Sequence, residues 1–191
     1  TQAAPGQVDL TREGTLDWIH WGLGGKNGVV RKATGGHLFS GLTRIGEGYL
    51  DATLGCPVSM NWSDGVPQKT MADTHVGLWW NNVGTGRSFT VPADTSPRLL
   101  RVYVAGIAGA GGTLTAKLSD DSAPAYVSNT WNGNSGNGDW APVPDGFSAM
   151  YTIRYQAVSA GQTLLVEWKL TSEPNRFLGQ ARLQAATLAD K

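Results

Sequence analysis

Thr15-Leu16-Asp17-Trp18-Ile19-His20-Trp21-Gly22 limits what this chain can fold into more than any other stretch. At the two-residue period of a β-strand, Leu16, Trp18 and His20 point to one face and Asp17, Ile19 and Trp21 to the other. Both faces then carry an indole. A sheet edge facing water would leave one of them exposed, whereas an interior strand with material packed over each face would cover both. The stretch is expected to be a central strand.

The rest of the chain supports a β fold. Val58, Met60 and Trp62 alternate with Ser59 and Asn61, and Ser63-Asp64-Gly65 closes that run with a turn dipeptide. Leu100, Val102 and Val104 form an inward row against Arg101 and Tyr103. Leu114, Ala116 and Leu118 repeat the pattern, as do Tyr151, Ile153 and Tyr155, then Leu164, Val166, Trp168 and Leu170. Arg182 to Leu188 is a last short run. No window of twelve residues has helical spacing. With 26 glycines, eight tryptophans and only 16% charged residues, about ten strands joined by tight turns predict an all-β fold, a two-sheet antiparallel β-sandwich. Residues 1–7 read as a linker or a mature N-terminus, and 8–188 as one sandwich domain, part of a larger multidomain chain.

Charge and cysteine content narrow the partners. Fifteen Lys and Arg balance fifteen Asp and Glu, so no excess of cations is available to neutralise phosphates, and nucleic acid is not an expected partner. No apolar run is long enough for membrane insertion. Cys56, the single cysteine, excludes an internal disulfide and a thiolate metal cluster, and reads as a buried thiol.

Val8-Asp9-Leu10-Thr11-Arg12-Glu13-Gly14-Thr15-Leu16-Asp17-Trp18-Ile19-His20-Trp21-Gly22 resembles the opening of galactose-binding-like β-sandwich domains of secreted bacterial proteins, which often accompany polysaccharide-degrading or adhesive modules. Phe89-Thr90-Val91-Pro92-Ala93-Asp94, Gly112-Thr113-Leu114-Thr115-Ala116-Lys117-Leu118-Ser119-Asp120 and Ser159-Ala160-Gly161-Gln162-Thr163-Leu164 are similar to later strands of such domains. The resemblance covers most of the chain and implies a jelly roll of carbohydrate-binding-module type in an extracellular, secreted setting. It transfers no ligand-contacting positions, so the site rests on this chain's own residues.

Residues 129–146 are the first candidate. Eighteen residues without strand or helix spacing lie between two strands, and long ordered loops of this kind tend to carry function. Trp131 and Trp140 can lie flat as platforms for the C–H face of a sugar ring, while Asn132, Asn134 and Asp139 match the donors and acceptors of sugar hydroxyls. The alternative is that one or both indoles fold back over the sandwich as a lid. Trp79-Trp80 is the second candidate: adjacent strand residues face opposite ways, so only one of them can point outward, and the alternative is that both are buried under loops. Trp18, Trp21, Trp62 and Trp168 sit in alternating patterns and belong to the core.

Catalysis has little support in the sequence. Glycoside hydrolysis usually uses two neighbouring carboxylates, and Glu13, Glu47, Glu167 and Glu173 are scattered. His20, His37 and His75 lack metal-ligand spacing, and there is no nucleophile elbow or phosphate-cradling glycine pattern. No cofactor is required; a structural calcium ion is compatible with Asp9, Asp17, Asp120 and Asp121, for which turn and capping roles are the simpler reading. The sequence therefore predicts a non-catalytic carbohydrate-binding module for a polysaccharide or oligosaccharide. The alternatives are a structural or adhesive spacer and a polysaccharide-active hydrolase or lyase.

Overall fold

The computed structural model describes residues 1–128, 146–173 and 178–191. In chain order the first half contains β1 (Gln2–Ala3), β2 (Gln7–Asp9), α1 (Leu10–Glu13), β3 (Asp17–Trp21), β4 (Val29–Lys32), β5 (Thr43–Ile45), β6 (Leu50–Thr53), β7 (Ser59–Trp62), β8 (Gly65–Val66), β9 (Met71–Thr74) and β10 (Gly77–Trp80). Longer strands follow: β11 (Gly86–Ala93), β12 (Arg98–Ile107), β13 (Gly111–Leu118), the short β14 (Tyr126–Val127), β15 (Phe147–Tyr155), β16 (Gln162–Ser172) and β17 (Gln180–Asp190).

Two sheets form the sandwich. The larger runs β1-β15-β12-β17-β3-β4-β8, with β10 also paired to β17 and β6 to β10. The smaller runs β14-β13-β16-β11-β5. Alternation buries one side of each strand, and the inward rows of β12, β13, β15 and β16 meet Trp21, Trp80 and Phe89 in the main core. Trp168 is at its centre, edge-on to Phe147 at 6.2 Å and tilted against Tyr151 at 6.0 Å. Removal of such an indole typically costs about 3–5 kcal/mol.

A third layer covers the outer face of the larger sheet. In it β2 pairs parallel with β7, which pairs antiparallel with β9. Together with α1, started by Asp9 accepting from the Arg12 amide at 3.1 Å, it forms a second core of Leu10, Trp18, Met60, Trp62 and Tyr103. This layer accounts for the two-faced character of β3. Ile19 and Trp21 enter the main core, Trp18 meets Trp62 at 5.5 Å on the other side, and every residue of the strand is buried.

β17 is longer than its alternation suggests because it contains a bulge. Tyr103 pairs with Ala185 and Val104 with Leu183, which leaves Gln184 without a partner position on β12. One extra residue exchanges the faces: Ala181 and Leu183 reach the main core before it, Ala186 and Leu188 after it. The Gln184 side chain donates to the Val58 carbonyl at 2.7 Å, tying the bulge to the loop before β7. The free edge of β17 is shared there, with Ala185 to Leu188 on β3 and Ala181 to Leu183 on β10. Gly22, at φ +93°, leaves the end of β3 against Gly77, where a Cβ would stand 2.5 Å from the Gly77 carbonyl oxygen.

Candidate functional site

The β10 register separates the adjacent tryptophans. Trp80 is fully buried in the main core and cannot serve as a platform. Trp79 takes the opposite face and is half-buried. Beside it, across the β6–β10 ladder in which Trp79 pairs with Asp51, Tyr49 packs its ring 5.1 Å from the Trp79 ring. Tyr49 is 54% exposed. Its hydroxyl donates to Asp51 Oδ2 at 2.9 Å and its amide to Asn81 Oδ1 at 3.3 Å, so an open aromatic face is held in one orientation.

Tyr49 also forms the rim of a cleft of about 530 Å³ between the edges of the two sheets. Trp21, Leu42, Leu50 and Leu78 give it apolar walls, and the turn of Lys26, Asn27 and Gly28 closes one side. Four basic residues, Lys26, Arg31, Arg44 and Arg87, line it, and among the described residues no carboxylate does. The chain's balance of charge is therefore not reproduced locally. Arg31 donates to the Phe39 carbonyl at 2.8 Å. Arg44 donates to Glu47 at 2.6 Å and to the carbonyls of Gly46 and Gly48. Arg87 lies directly opposite Arg44 on the β11–β5 ladder.

Trp131, Trp140, Asn132, Asn134 and Asp139 lie outside the described residues. The sequence reading missed the residues of the cleft, although one signal was present. Arg87 shares the inward period of β11 with Phe89, Val91 and Ala93, and a charged residue in an apolar row marks a site with a reason for the charge. Tyr49 carries no such mark, since an isolated tyrosine among glycines has no period to break.

The aspartates weighed for calcium have other work. Asp9 caps α1; Asp17 accepts from the amides of Trp18 at 2.8 Å and Leu38 at 2.6 Å. Asp120 accepts from Ser122 and from the Val158 amide, and Asp121 pairs with Lys117 at 2.8 Å. Among the described residues no three His, Cys, Asp or Glu side chains converge as ligands. The glutamates are similarly engaged: Glu13 accepts from the hydroxyls of Tyr103 at 2.6 Å and Thr187 at 2.7 Å, Glu47 pairs with Arg44, Glu167 with Lys169, and Glu173 accepts from the Asn82 amide. Burial pushes the Cys56 thiol up to about 12, away from the thiolate that nucleophilic chemistry needs.

No protein-family model and no curated protein sequence matches this chain. Among solved structures it is similar to the xylan-binding CBM22-1 domain of Paenibacillus barcinonensis Xyn10C, at 15% identity over 79% of this chain and 87% of that one, with a TM-score of 0.44. It is also similar to TmCBM61, solved with β-1,4-galactotriose, at 13% identity over 80% and 90% of the two chains and a TM-score of 0.42. A cyclase from Fischerella sp. TAU, solved with an indolyl butanone, gives 11% identity over 80% and 89%, with a TM-score of 0.45. These superpositions are partial, and the sandwich stands on the pairing of this chain's own strands.

Proposed function

We propose that this chain is a non-catalytic carbohydrate-binding domain, whose binding surface is the Tyr49–Trp79 rim together with the adjoining cleft. The observation that carries the reading is the Tyr49 ring, open to solvent yet fixed by Asp51 and by Trp79. Sugar rings stack on such a face through their C–H groups. If roughly 80 Å² of apolar area leaves water per stacked ring, each contact contributes about 2 kcal/mol before ordering costs. Asn27 and the arginines beside it offer donors for hydroxyls at the edge of the stacked ring.

Trp131 and Trp140, with Asn132, Asn134 and Asp139, belong to the same proposal as a second aromatic surface. Two such surfaces would suit an extended polysaccharide, in the secreted multidomain setting where modules of this kind work. Binding in this mode needs no cofactor.

Native gels containing xylan, galactan or polygalacturonate test the reading. The wild-type chain is expected to be retarded by at least one of these polymers. Substitution of Tyr49 and Trp79 by alanine should release it, as should substitution of Trp131 and Trp140, with the unfolding midpoint nearly unchanged. Free migration in all three gels contradicts the proposal, and release of reducing ends or unsaturated sugars from any polymer contradicts its non-catalytic character.

A further inference from the structure

Arg87 has a place in the fold that packing alone does not explain. It is 5% exposed and points from β11 into the space between the sheets, where its row neighbours are Phe89 and Val91. A buried guanidinium carries five N–H donors and is ordinarily matched by a carboxylate. Here one nitrogen donates to the adjacent Gly86 carbonyl at 2.6 Å and the planar group lies over the Trp80 ring at 5.5 Å. No carboxylate pairs with it among the described residues.

Arg44, itself paired with Glu47 at 2.6 Å, stands beside it. Arg44 sits directly across the ladder, like charges opposite one another are destabilising, and both line the same cleft. Burial and then the Arg44 charge push the Arg87 guanidinium below its usual range. Lys26 and Arg31 also line the cleft. An anion entering the cleft would relieve the repulsion and occupy the unused donors of Arg87 through charge-assisted hydrogen bonds, which are the strong ones.

We propose that the cleft is a subsite for an acidic sugar, in which the carboxylate of a uronic acid residue is received by Arg87 and Arg44 while its ring lies against Tyr49. The planar fork of a guanidinium matches a carboxylate in two parallel hydrogen bonds, which fixes the orientation of the sugar as well as its charge. This inference rests on the carbohydrate-binding reading above and names the class of sugar. A sulfate ester offers related oxyanion chemistry, and the test separates the two.

Calorimetric titration of the intact chain with trigalacturonate, its carboxyl-reduced neutral counterpart, a sulfated galactan oligosaccharide and sodium acetate decides among the possibilities. Trigalacturonate is expected to bind roughly tenfold or more tighter than the neutral trisaccharide, the difference that a charge-assisted hydrogen bond makes. Arg87→Met should remove that preference. Arg44→Gln, at an exposed position, should lower it severalfold. Equal affinity for the charged and neutral trisaccharides overturns the inference and leaves saccharide binding standing. Preference for the sulfated oligosaccharide over trigalacturonate overturns the carboxylate assignment. Binding of acetate as tightly as trigalacturonate, or of none of these saccharides, overturns this inference, while retardation in the xylan, galactan and polygalacturonate gels decides the carbohydrate-binding reading separately.

Discussion

The Arg87 guanidinium lies over the Trp80 indole with 5.5 Å between its central carbon and the ring centre, both side chains inside the sandwich. The indole takes the place that a carboxylate would occupy in an ordinary buried pair. A ring quadrupole attracts the cation by about 2 kcal/mol where water is excluded, without cancelling its charge. The charge therefore remains available to a ligand in the cleft.

Trp80→Phe and Trp80→Leu separate that attraction from simple packing. Both variants lose volume, and a cost of a few kcal/mol is expected from either. The leucine variant, which has no aromatic face, should be the less stable by about 1–2 kcal/mol in urea unfolding. Equal stabilities would mean that the ring serves only to fill space.

The junction of β3 and β10 makes a second prediction. Gly22 combines a left-handed backbone, φ +93°, with close approach to the Gly77 carbonyl, and a methyl group satisfies neither condition. Gly22→Ala is expected to cost more than about 2 kcal/mol. An equivalent substitution at Gly24, where φ is +83° but nothing lies within 4 Å of a Cβ, should cost less. Comparable losses would show that backbone conformation alone sets the penalty.

His20 gives the fold a pH dependence. Its Nε2–H donates to the Val76 carbonyl at 3.1 Å, its Nδ1 has no partner among the described residues, and burial pushes its pKa down to about 4. The unfolded chain takes up this proton near pH 6.5 and the folded chain does not. Stability attributable to His20 is thus full above about pH 6.5, falls as the pH is lowered toward 4, and changes no further below that. The loss is at most roughly 3 kcal/mol. Unfolding midpoints of wild type and His20→Gln measured across this window should converge toward low pH; parallel profiles would contradict the assignment.

Much of the fold was legible because alternation is a local signal. β16 and β12 bury the rows that their sequences mark, and the β-sandwich implied by the resemblance is the architecture observed. The two indole-bearing faces of β3 announced a covered strand, although not that a small third sheet supplies one of the covers. The bulge at Gln184 was hidden because an added residue interrupts the period by which strands are recognised, so β17 read as a short run. Among the described residues seventeen strand segments stand where about ten were expected, since pieces of two to four residues such as β5, β6 and β8 are too short to show a period.

The cleft was less legible. It joins residues from the β3–β4 turn, the approach to β5, the start of β6 and the inward face of β11. No spacing rule connects positions that only the pairing of β11 with β5 and of β10 with β6 brings together. Of the adjacent tryptophans, Trp79 has the outward position, and the cations near it lie too far apart in sequence to read as a cluster.

The most direct test is the pair of values, dissociation constant and unfolding midpoint, obtained for wild type and Tyr49→Ala on the polysaccharide that retards the wild-type chain. Loss of one stacked ring predicts affinity weaker by roughly tenfold or more, while the midpoint stays within a few degrees because the residue is 54% exposed. Unchanged affinity in a folded Tyr49→Ala variant would contradict the placement of the sugar at this rim.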